Sequence, residues 1–123
     1  MKIRIKGNSV RLRLTKTEVE NFCEAGYFEE HTQFPNSVFT YALQRKENIR
    51  HIEADFVENK MIVTIPKSMV TDWSTNDKIG FEHYYSLPDQ RQLFVLIEKD
   101  FTCLDQTIED QSDNYPNPLA LKK

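Results

Sequence analysis

Basic residues near the start of the chain have the types and spacing needed to bind a polyanion. No acidic residue lies among the first sixteen positions. On a β-strand, alternate side chains share one face, at a spacing that can follow the phosphates of a nucleic acid. The sequence therefore predicts a nucleic-acid or anion-binding site in this segment. The predicted site residues are Lys2, Arg4, Lys6, Arg11, Arg13 and Lys16.

A second set of residues could bind a metal or take part in catalysis. His31 and His83 are each preceded by glutamate, and an imidazole can bind zinc or transfer protons near neutral pH. Cys103 could add a thiolate ligand, or a nucleophile if the fold brought a histidine to it. The spacing of these residues matches no zinc or calcium motif. We therefore predict no catalytic residue, no metal and no cofactor, and keep a metal-dependent enzyme using His31, His83 and Cys103 as an alternative.

The predicted elements of the first half place the basic residues on a hairpin. Apolar and basic residues alternate on both sides of a turn at residues 7–9, as they do on strands with one buried face. Thr15 and Glu18 fit a capping box at the start of a helix, and Gly26 can end that helix in a left-handed conformation. Two more extended runs follow, so the predicted order is strand, strand, helix, strand, strand.

The second half repeats this order. An offset of 51 residues places Val63 on Leu12 and Trp73 on Phe22, and an offset of 52 after the helix places His83 on His31. Internal similarity of this kind indicates one structural unit present twice. We predict a mainly β fold with two short helices (α+β) in a single domain over residues 1–123. Repeat units 1–46 and 49–99 precede an acidic, proline-containing tail at 100–123.

The repeat also offers a way to neutralise the basic hairpin. It aligns Lys2 with Glu53 and Arg4 with Asp55, so the two hairpins carry opposite charge. If the hairpins meet, cross-strand ion pairs would use up the positive charge, each stabilising the fold by only a few tenths of a kcal/mol. The acidic tail could cover the same surface. The sequence leaves open whether the hairpin is exposed or neutralised.

The second half carries a recognisable motif. Residues 62–70 read Ile-Val-Thr-Ile-Pro-Lys-Ser-Met-Val, and Asn-Asp-Lys-Ile-Gly-Phe follows at 76–81. Over roughly residues 55–99 the chain resembles the swapped-hairpin fold of AbrB and MazE transcription factors and antitoxins. That resemblance implies a small antiparallel barrel and DNA binding through basic residues near the first hairpin. Two units in one chain imply a fused pseudo-dimer. Asn76, where the family usually has glycine, and Thr15, in place of its proline, depart from the pattern.

The whole chain restricts the function further. The first residues and the tail resemble those of a group of small uncharacterised bacterial proteins, and this resemblance assigns no function to the chain. The net charge of −3 gives no general attraction to polyanions, so an anion site must be local. No apolar stretch has the length of a signal peptide or a membrane span, so we expect a cytoplasmic protein without a membrane partner.

We predict a non-enzymatic binding module for DNA or another anionic ligand. The alternatives are a small-ligand site, or a protein partner or homodimer recruited through open strand edges.

Overall fold

The computed structural model describes residues 1–100 and contains eight strands and two helices. The predicted order of elements is present. The strands are β1 (Lys2–Lys6), β2 (Ser9–Leu14), β3 (Tyr27–Gln33), β4 (Val38–Lys46), β5 (Glu53–Val57), β6 (Lys60–Pro66), β7 (Gly80–Ser86) and β8 (Gln92–Lys99); the helices are α1 (Lys16–Ala25) and α2 (Lys67–Val70).

Each half of the chain contributes one hairpin to each of two four-stranded sheets. The first sheet has the order β1-β2-β8-β7, and the second has the order β3-β4-β6-β5. Every hairpin is antiparallel, but the two central strands of each sheet, β2 with β8 and β4 with β6, run parallel. The fold is therefore mainly β with two mixed sheets, and neither half completes a sheet from its own strands.

The predicted closed antiparallel barrel is wrong. Within residues 1–100 no strand pairing joins the two sheets, so β1 and β7 remain edges of the first sheet and β3 and β5 remain edges of the second. A cleft of about 370 Å³ opens between β1 and β5, and its lining includes Ile5 of β1 and Phe56 of β5. The β1 and β5 edges therefore face this cleft and do not pair with each other.

The core lies between the inward faces of the two sheets. The predicted alternation sets which side chains enter it, because successive residues of a strand point to opposite faces. Phe22 of α1 and Trp73, just after α2, are both fully buried in this core. The indole N–H of Trp73 donates a hydrogen bond to the carbonyl of Lys78 at 2.9 Å. The largest fully buried side chains are those of Leu12, Leu14, Phe22, Leu43, Ile52, Val63, Ile65, Val70, Trp73, Val95 and Ile97.

The capping box predicted for α1 is confirmed. The Thr15 hydroxyl accepts a hydrogen bond from the Glu18 backbone N–H at 3.3 Å, and the Glu18 carboxylate accepts one from the Thr15 N–H at 2.8 Å. Gly26 ends the helix with φ of 79°. Neither helix within residues 1–100 is long and apolar enough to cross a membrane.

Candidate functional site

Five of the six predicted site residues lie on the outer face of the first sheet. Hairpin β1–β2 pairs Lys2 with Arg13, Arg4 with Arg11, and Lys6 with Ser9. The apolar residues between them take the opposite face, where Leu12 and Leu14 are buried in the core and Ile5 lines the cleft, so the basic side chains point outward. The sixth residue, Lys16, is exposed on α1. We call the outward side chains of Lys2, Arg4, Lys6, Arg11 and Arg13 the basic face.

Carboxylates at the end of β8 neutralise part of the basic face. Glu98, beside Arg13 on the neighbouring strand, accepts a hydrogen bond from the Arg13 guanidinium at 2.7 Å and lies 3.6 Å from that of Arg11. Lys2 lies 3.1 Å from Asp100. These partners come from the strand added to the hairpin by the other half of the chain, which the sequence alignment did not place there.

Of the two outcomes that the sequence left open, pairing of the basic face with Glu53 and Asp55 does not occur among residues 1–100. Both residues lie on β5, at the edge of the second sheet, where the strand pairs with β6. The two hairpins of opposite charge therefore belong to different sheets. The tail was the other acidic segment that could cover the basic face; its first residue, Asp100, pairs with Lys2, and residues 101–123 lie outside the described residues.

Arg4 and Lys6 carry the positive charge that remains. Both are exposed, and among residues 1–100 no carboxylate lies within 4.0 Å of either. Arg4 stands directly opposite Arg11, and like charges in that position repel each other. The basic face therefore concentrates charge that the described part of the protein only partly balances.

Two aromatic residues continue the outer face beside the basic residues. Phe94 on β8 pairs with Ser9, and Tyr84 on β7 pairs with Phe94. Their ring centroids are 4.8 Å apart, and Tyr84 remains 57 % exposed. The sequence reasoning missed this pair. The signal was available, since both residues fall in the outward phase of otherwise amphipathic strands.

The corresponding face of the second sheet has a different chemistry. Its edge strand β5 places Glu53 and Asp55 where the first sheet has Lys2 and Arg4. Its remaining outward positions include Glu29, which lies 2.8 Å from the imidazole of His31 and forms an ion pair with Lys60. The two sheets are built alike, but only the first has a basic outer face.

Comparison with known proteins gives a family without a function. A family model described as "Family of unknown function (DUF7009)" matches residues 1–119. The chain belongs to this family. No curated protein and no solved structure matches it. The comparisons do not support an identification as an AbrB or MazE protein.

The strand registers of this DUF7009 protein separate the two predicted histidine positions. Lys60 lies 51 residues after Ser9, so these two residues are equivalent in the repeat. Ser9 pairs with Phe94 and Lys60 pairs with Thr40, so Phe94 and Thr40 are also equivalent. Thr40 pairs in turn with His31, and Phe94 pairs with Tyr84; His31 and Tyr84 are 53 residues apart. The predicted offset of 52 is therefore wrong, because the second unit has two extra residues after the helix rather than one. His31 faces outward, whereas His83 faces inward.

His83 contacts a different histidine. Its ring stacks on that of His51 with centroids 4.7 Å apart and planes 5° apart, and Tyr85 lies edge-on to both rings. Burial, together with the charge of His51, lowers the pKa of His83. Within residues 1–100 no group of three or more histidine, cysteine, aspartate or glutamate side chains could hold a metal ion, and Cys103 lies outside that range.

Proposed function

We propose that the protein is a non-enzymatic module that binds DNA or another polyanion on the basic face. The observation that carries the proposal is the outward alignment of five basic side chains, of which Arg4 and Lys6 have no carboxylate partner within residues 1–100. Each sheet combines one hairpin from each half of the chain, and this exchange supports the proposal because the motif at residues 62–81 resembles that of DNA-binding proteins that also exchange hairpins.

The mechanism is charge neutralisation with release of counterions. Each phosphate that pairs with a basic side chain frees cations condensed on the nucleic acid, so affinity falls as salt rises. Arg4 and Lys6 can each take a phosphate directly. Arg11 and Arg13 both lie against the carboxylate of Glu98. At least two phosphates, those held by Arg4 and Lys6, therefore form the contact.

Binding of this kind uses one side of the molecule. In the second sheet Glu53 and Asp55 replace the basic residues and repel phosphates, so the protein cannot offer two similar edges to a symmetric site. We expect one protein to bind one short segment of the polyanion, more weakly than a symmetric dimer would and with little dependence on base sequence.

Fluorescence anisotropy with a labelled random-sequence DNA duplex, between about 50 and 200 mM salt, tests the proposal. The double variant Arg4→Gln/Lys6→Gln removes two contacts. We expect weaker binding and a plot of log affinity against log salt that is shallower by about two. The matched control is Lys46→Gln/Arg50→Gln, which makes the same charge change at exposed positions away from the basic face.

The control separates a site from a general charge effect. The proposal holds if the basic-face variant loses affinity and the control retains it. Equal losses in both variants, or no binding by the unmodified protein at low salt, would overturn it.

A further inference from the structure

One row of side chains joins a cation to two aromatic rings across the whole width of the first sheet. The row runs Lys6, Ser9, Phe94 and Tyr84, each on the strand next to the previous one. Neighbouring strands lie about 5 Å apart, so Phe94 is about 10 Å from Lys6 along the sheet. A ligand on the basic face therefore reaches the aromatic pair without leaving the surface.

The Tyr84 side chain remains largely exposed although it contacts Phe94. Its ring meets Phe94 at a tilt of 43°, yet more than half of the residue is open to solvent. The inward-facing residues of β7 pack instead on the core. Phe81, for example, packs against Trp73 with ring centroids 5.2 Å apart. Tyr84 thus keeps a large apolar surface beside a concentration of positive charge.

The equivalent row of the second sheet lacks both features. It reads Val57, Lys60, Thr40 and His31, with no aromatic pair and a lysine that forms an ion pair with Glu29. The combination of an exposed tyrosine on a half-buried phenylalanine with cations that have no carboxylate partner within residues 1–100 is therefore a property of the first sheet and not a consequence of the fold.

We propose that the polyanion held by the basic face is a single-stranded nucleic acid whose bases stack on Tyr84 and Phe94. Aromatic rings stack on the faces of unpaired bases, while basic side chains hold the phosphates. In a duplex those faces are covered by neighbouring base pairs, so the aromatic pair adds nothing to duplex binding. Glu82, two residues before Tyr84 on the same face, repels phosphates and keeps the backbone over β1 and β2. This inference rests on the proposed function.

Anisotropy with labelled single-stranded oligonucleotides, DNA and RNA, and with a duplex of equal length tests the inference. The unmodified protein should bind the single strands more tightly than the duplex. Tyr84→Ala should weaken single-strand binding by about ten-fold, the effect of losing one stacked base, with little change in duplex binding or in the salt slope. Tyr84→Phe keeps the ring and should retain the affinity. His31→Ala, at the equivalent position of the second sheet, is the control and should have no effect.

The outcomes distinguish the two proposals. If Tyr84→Ala binds single strands as well as the unmodified protein does, or if the duplex binds equally tightly, stacking is overturned while the basic face stands. If neither form of nucleic acid binds, the proposed function itself is overturned. Loss of affinity in Tyr84→Ala and its retention in Tyr84→Phe would establish the stacking contact.

Discussion

At the scale of single residues, Glu98 controls how much charge the basic face offers. One carboxylate serves two guanidinium groups, at 2.7 Å from Arg13 and 3.6 Å from Arg11. Each arginine side chain is about one-third exposed, and ion pairs near the surface contribute little to stability. A phosphate can therefore compete with Glu98 for either arginine at small cost to the fold.

Replacing this carboxylate should strengthen binding. Glu98→Gln removes one negative charge beside Arg11 and Arg13, so we expect the affinity for nucleic acid to rise several-fold and the salt slope to steepen by about one. Anisotropy across the same salt range measures both quantities. Glu53→Gln makes the same charge change on the second sheet and serves as control. A Glu98→Gln protein that binds no better than this control would contradict the role given to Arg11 and Arg13.

At the scale of elements, the α-ammonium group of Met1 ties the chain to α1 and β3. It forms ion pairs with Glu18 and Glu30, and the Tyr41 hydroxyl donates a hydrogen bond to the Met1 carbonyl at 2.8 Å. Burial raises the pKa of Glu18, but its hydrogen bonds from the ammonium group and from Thr15 outweigh burial and bring the pKa below 4.5. Burial lowers the pKa of the Met1 amine, yet both glutamates outweigh it and bring the pKa above 8.0.

These shifts predict a stability plateau between the two ordinary pKa values. Because the pKa of Glu18 is depressed, its contribution is complete above about pH 4.5 and is lost as the pH falls through the lower folded value. Because the pKa of the Met1 amine is raised, its contribution is present below pH 8 and is lost as the pH rises through the higher folded value.

Urea denaturation between pH 3 and 7 tests the acid limb, which is the predicted fall in the free energy of unfolding at low pH. In Glu18→Gln the free energy of unfolding should be lower at pH 7 and should depend less on pH below 4.5, since the shifted carboxyl group is gone. Glu20→Gln, at an exposed position of the same helix, should keep the slope of the unmodified protein. An unchanged acid limb in Glu18→Gln would show that the ion pair does not form.

The strands and helices could be predicted from the sequence because their signals are local. The alternation of Leu12 and Leu14 with Arg11 and Arg13 determines which face of β2 is buried, and Thr15 with Glu18 determines where α1 begins. The partner of each hairpin could not be read in this way. That β2 lies beside β8, and so brings Glu98 to the arginines, depends on contacts 85 residues apart in the chain.

The shared face of the basic residues could be predicted for the same reason. Hairpin β1–β2 alone places them on one face, so local alternation was enough to group them. Tyr84 joins that face only because β7 and β8 are added to the hairpin, and this long-range pairing is not indicated by the alternation within β7. The failed match of His31 with His83 has a similar cause, since the length of the loop after α2 is fixed by packing and not by alternation.

At the scale of the whole molecule, two sheets built alike carry opposite outer chemistry. The first presents Lys2, Arg4 and Lys6 at its β1 edge, and the second presents Glu53 and Asp55 at the equivalent edge. The net charge of −3 hides this polarity. An extended negative ligand is attracted to one side and repelled from the other, which orients the protein on it.

An NMR titration of the ¹⁵N-labelled protein with DNA, single strand and duplex in turn, tests this central claim most directly. The account predicts amide shift changes along β1, β2 and β8 with either ligand, extension to β7 around Tyr84 with the single strand, and reversal of the changes at high salt. Changes centred on β3 to β6, or no changes with either ligand at low salt, would contradict it.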